Sequence, residues 1–121
     1  MAEHDKEAVN MTKRFDYDSE NDILTIHKGF EKGESFKGNI DAGDIILDLS
    51  TNQRIRGIEI MNAKRFFAEI HSPIASLSKI KGADFSATIK PSGIMINMII
   101  SSGSAEVPAN IALPLNEPIA C

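Results

Sequence analysis

The chain has 121 residues, 42% of them hydrophobic and 25% charged, with a formal net charge of −4. That length predicts one domain, and that composition excludes a wholly disordered chain. The acidic balance excludes a broad nucleic-acid footprint, which needs clustered Lys and Arg, and the lone Cys121 excludes an internal disulfide framework.

Residues 1–13 are polar and unpatterned and read as a disordered arm without the apolar centre of a secretory signal. The longest apolar run, 94–100, is broken by Asn97 and is too short to span a bilayer. A cytoplasmic protein with no membrane partner is therefore expected.

Residues 14–17 and 22–28 predict a hairpin. The turn between them, Asp18-Ser19-Glu20-Asn21, is built of side chains that bond their own backbone. Residues 29–43 carry four glycines and read as a loop with a short strand at 35–40. Residues 43–49 alternate, with Ile45, Leu47 and Leu49 on one face and Asp44, Ile46 and Asp48 on the other. Residues 55–61 return, with Ile58 and Ile60 opposite Gly57 and Glu59.

Asn62 is placed to cap a helix starting at Ala63, and Ser72-Pro73 predicts a second helix that Gly82 ends as a left-handed cap. Residues 85–90 and 94–101 alternate on either side of the turn Pro91-Ser92-Gly93. A last strand, 105–113, contains Pro108, which cannot donate to a ladder and so places it at a sheet edge or a bulge.

The order strands, helices, strands predicts an α+β fold. It is mainly an antiparallel sheet of about six to eight short strands in hairpins, with one or two short helices between residues 62 and 82. Residues 14–121 form a single domain, divided into a hairpin core (14–67) and a helix plus β-meander extension (68–121). Strand 94–101 is mostly apolar on both faces and needs cover on both sides. A second sheet must supply it, from within the chain or from a partner subunit, and a homodimer is the simplest partner.

The segment YDSENDILTI (residues 17–26), followed by GDIILDL (43–49) and GIEIMNAKRF (57–66), resembles the domain of unknown function 2283 family. The matching positions are Tyr17, Asp18, Asp22, Leu24, Ile26, Asp48, Gly57, Ile58, Glu59, Ile60 and Ala63. The resemblance covers about half the chain, and the region after Phe67 reads as an extension of the family's short core. It implies a small, mostly β, cytoplasmic protein and no particular activity.

Two sets of residues are chemical candidates. Asp16, Asp18, Glu20 and Asp22 recur at every second position and on a flat strand would offer oxygen ligands to a hard cation. The glycine and distal Glu of a calcium loop are missing, and an acidic turn in water is the simpler reading. Glu59 stands between Ile58 and Ile60 in a strand expected to be central, where a carboxylate needs a partner or a cleft. Arg54, Arg56 or Lys64 could pair with it. Asp48 on the neighbouring strand would make with it the chain's one plausible acid/base couple.

His4, His27 and His71 lack metal-ligand spacing, so no cofactor is expected. The expected function is a non-enzymatic structural or protein-interaction module, working as a homo-oligomer or with a protein partner. The alternative is a ligand- or metal-binding protein, or a weak hydrolase-like enzyme, using Asp48 and Glu59.

Overall fold

The computed structural model describes residues 14–69, 77–102 and 105–114. The expected arm at 1–13 and the expected helix start at Ser72-Pro73 lie outside these residues. The described strands are β1 (Phe15–Asp18), β2 (Ile23–His27), β3 (Phe36–Ala42), β4 (Ile45–Ser50), β5 (Ile55–Met61), β6 (Ile80–Lys90), β7 (Gly93–Ser102) and β8 (Ala105–Pro114). A helix, α1 (Ala63–Glu69), follows β5, and a 3-10 turn at Leu77–Lys79 leads into β6. The fold is α+β and mostly antiparallel sheet.

Five strands make the first sheet in the order β1-β2-β5-β4-β3, and three make the second in the order β6-β7-β8. All pairings are antiparallel. Turn chemistry fixes the registers. Asp18 accepts from the backbone N–H groups of Glu20 and Asn21 and from the Asn21 amide, closing the β1–β2 turn. Gly43, at φ 73°, opens the two-residue turn between Ala42 and Ile45, where this hairpin geometry favours glycine.

The two sheets bury a common core. Leu24, Ile26, Ile45, Leu47, Ile58 and Ile60 of the first sheet join Phe85, Ile94, Ile96, Met98, Ile100 and Ile111 of the second in one apolar cluster. Alternation sends every second side chain of β7 inward, so Ile94, Ile96, Met98 and Ile100 are almost inaccessible while Met95 and Ile99 face out. The cover that the strand patterns demand on the inner face thus comes from within the chain. Ala63 and Phe67 of α1 join the same core.

Three local expectations are corrected. Gly82 caps no helix: it lies in β6 opposite Ser101, beside a register shift between Ile80 and Gly82. The inward alternation of Ala83 and Phe85, paired along the full length of β7, carries the strand back to Ile80. The strand in the glycine-rich loop is longer than 35–40, because β3 runs to Ala42 to meet Ile45. Helix α1 is not capped by the Asn62 side chain, which donates to Asp44 instead. Asp22, at φ 57°, caps it from the neighbouring hairpin: its carbonyl accepts from Ala63 N–H and its carboxylate from Lys64 N–H. Pro108, by contrast, falls on β8 at the edge of the second sheet, as its missing N–H requires.

Candidate functional site

The outer face of the first sheet is acidic. The register places Asp16, Thr25, Glu59, Ile46 and Asp41 in one row across it, with Asp48 in the next row and Asp18 at the far end. Asp48 and Glu59 therefore share a face, as their alternation predicts. Glu59 is half-buried between Thr25 and Ile46 and makes no ion pair or side-chain hydrogen bond among the described residues. Of its expected partners, Arg54 and Arg56 reach Glu34 instead, and Lys64 makes no ion pair among the described residues. The position tolerates a charge because this face is open, not because a cation answers it.

Asp48 approaches a histidine instead. Its Oδ2 lies 3.9 Å from His27 Nε2, across β5 at Gly57. His27 Nδ1 accepts from the Gly29 N–H at 2.7 Å, which leaves the ring proton on Nε2, facing Asp48. Gly57 makes the approach possible: a methyl group there would stand 2.5 Å from Asp48 Oδ2 and 2.8 Å from His27 Cδ2. The glycine of the GIEI segment thus has a packing reason on the polar face of the strand.

The four acidic positions of the first hairpin do not act together. Asp16 and Glu20 are exposed, Asp18 closes the turn, and Asp22 caps α1 while accepting from the Tyr17 hydroxyl at 2.6 Å. Burial, and then that hydrogen bond, hold the Tyr17 phenol up at about 12. The Asn21 amide, with the turn N–H groups, keeps the Asp18 carboxyl below its usual range. Among the described residues no three His, Cys, Asp or Glu side chains are grouped to hold a metal ion.

Among the described residues the buried charge is Glu34, which the sequence places in a polar loop. Its side chain is 0% exposed. Oε2 accepts from the Ser50 hydroxyl at 2.5 Å and from Arg54 Nε at 3.2 Å. Oε1 accepts from the Glu31 N–H at 2.9 Å and from Arg54 Nη2 at 3.1 Å, and lies 3.5 Å from Arg56 Nε. The fork of Arg54 thus grips both carboxylate oxygens, a geometry lysine cannot supply. Chiefly through that Arg54 contact, Glu34 is pulled down to about 2, against the cost of burial. Ser50, itself fully buried, and the backbone bond from Thr51 N–H to Ser35 complete the clasp. Its effect is to tie the loop before β3 to the β4–β5 turn. The sequence does not mark it: Leu47-Asp48-Leu49-Ser50 keeps its apolar and polar alternation, and only the fold turns Leu49 and Ser50 both inward.

Beside this clasp lies a cleft of about 600 Å³, walled by Arg14, His27, Lys28, Phe30, Glu31, Lys32 and Arg56 from the first half of the chain and by Ala83 and Asp84 from β6. Neither Asp48 nor Glu59 lines it.

Fold and site together define a class: a small two-sheet α+β module whose first sheet carries the YD hairpin and the GIEI strand. Residues 14–64 match the model of a family described as "Protein of unknown function (DUF2283)", which shows the resemblance read from those motifs. An uncharacterized protein of Methanocaldococcus jannaschii, MJ0789, is 40% identical over 57 residues, or 47% of this chain and 47% of that protein. The chain spans about half the length of the curated relative it matches. No solved structure matches it. Among the described residues no helix is long and apolar enough to cross a membrane.

Proposed function

We propose that the protein is a non-enzymatic interaction module of the cytoplasm that works as a homodimer, the second copy seating on the outer face of the β6-β7-β8 sheet. The observation that carries this reading is the contrast between the two outer faces. That of the first sheet bears Asp16, Asp18, Asp41, Asp48 and Glu59. On that of the second, Met95, Asn97 and Ile99 stand beside Ser86, Thr88, Pro108, Asn110 and Ala112, and Asp84, opposite Ile99, is paired with Lys28 at 2.9 Å. Met95 is 37% exposed and Ile99 50%. Two copies of an acidic chain repel each other over most of their surfaces, and a self-complementary contact requires a patch free of like charges. Face contact is favoured over edge pairing because Pro108 and Pro114 remove donors from β8.

Three strands make a small interface, so the expected dissociation constant is micromolar rather than nanomolar. The test is sedimentation velocity across the micromolar range. The wild type is expected to pass from monomer to dimer, and Ile99→Lys to remain monomeric with its thermal midpoint unchanged. A wild type that stays monomeric throughout contradicts the proposal.

The alternative, ligand binding or catalysis at Asp48 and Glu59, has less support. The two carboxylates share a face, but neither lines the cleft, and among the described residues Glu59 makes no ion pair or side-chain hydrogen bond.

A further inference from the structure

The cleft beside the Glu34 clasp has the chemistry of an anion site. Four basic side chains line it, Arg14, Lys28, Lys32 and Arg56, against two carboxylates, in a chain whose formal charge is −4. Both carboxylates are turned to partners of their own: Glu31 to Arg54 at 2.7 Å, and Asp84 to Lys28 at 2.9 Å.

The two arginines are held differently from the lysine. Arg14 Nη1 donates to the Lys28 carbonyl, and its guanidinium lies against Gly29. Arg56 Nε donates to the Gly29 carbonyl at 2.8 Å. A neutral carbonyl fixes a guanidinium in place without cancelling its charge, and each fork keeps further N–H donors free. Among the described residues no carboxylate pairs with Arg14 or Lys32, and Arg56 has only a share of Glu34. Guanidinium donors fixed by carbonyls at a recess, with little carboxylate charge set against them, suit a phosphate dianion.

The wall also has an aromatic part. Phe30 is 40% exposed and meets the His27 ring edge-on at 5.4 Å. The volume lies within the range of pockets that enclose small organic ligands. We infer that this cleft binds a small phosphate ester bearing a planar ring, with Arg14, Arg56 and Lys32 on the phosphate and Phe30 against the ring. Lys28 is left on Asp84 and over the Phe85 ring, 5.0 Å from its centroid.

The test is a nitrogen-15 NMR titration of the full chain with adenosine monophosphate, inorganic phosphate and adenosine. The monophosphate is expected to give saturable shifts at the Gly29 and Phe30 amides and at Arg14 and Arg56 Nε–H. Inorganic phosphate is expected to bind the same groups more weakly, and adenosine not to bind. Arg14→Gln is expected to weaken the monophosphate about tenfold, the loss of one charge-assisted contact. Lys32→Gln, an exposed side chain whose loss leaves the fold untouched, is expected to weaken it a few-fold, and it decides the matter alone if Arg14→Gln does not fold. The inference is overturned if no phosphate compound gives saturable shifts, if adenosine binds as tightly as its monophosphate, or if the folded variants bind like the wild type.

Discussion

Glu34→Gln is expected to lower the thermal midpoint by roughly 10 °C or more, the largest effect of any single polar substitution in the chain. The amide keeps the shape of the carboxylate but removes its charge, leaving, among the described residues, Arg54 with Glu31 alone and Arg56 with no carboxylate. Breaking a buried pair from one side costs far more than the pair itself contributes. The pH dependence gives a second readout. The folded carboxyl sits at about 2 against an ordinary 4.5, so its contribution is complete above about 4.5 and disappears as the pH falls toward 2. Urea unfolding followed over that interval is expected to show a steep loss in the wild type and a shallower one in Glu34→Gln. Parallel curves contradict the role given to this residue.

Adjacent residues of β7 are expected to behave in opposite ways. Met98 is 0% exposed at the centre of the shared core, and Met98→Ala is expected to cost about 2–5 kcal/mol in chemical denaturation. Ile99 faces out and is 50% exposed, so Ile99→Lys is expected to change the monomer's stability by less than about 0.5 kcal/mol. Reversed effects would mean that β7 is paired one residue out of register, since such a slip exchanges the two faces of a strand.

Much of this architecture was legible because alternation is a local signal. β5 was read to the residue, and the inward set of β7 emerged directly from its period of two. The start of β6 was hidden because Leu77, Ile80 and Gly82 also fit a helix with a glycine stop, and only pairing with β7 decides between them. Asn62 has the chemistry of a cap, but a tertiary contact from Asp22 takes that task.

The site was the less legible part. Glu59 invited attention because isoleucines flank it in sequence, yet a strand puts flanking residues on the opposite face, and nothing local says whether a face is covered. Glu34 gave almost no sign. It lies in a glycine-rich charged loop, and its burial depends on Arg54, Arg56 and Ser50, which only the fold brings near.

The sheet that carries the matched segment is completed by the second sheet of the same chain. The nitrogen-15 NMR spectrum of a fragment ending at Glu69 tests it most directly. Without β6–β8, Leu24, Ile26, Leu47, Ile58 and Ile60 lose the partners that keep them from water. The fragment is expected to give collapsed, poorly dispersed resonances or to self-associate. A well-dispersed spectrum from a folded monomer would contradict the claim.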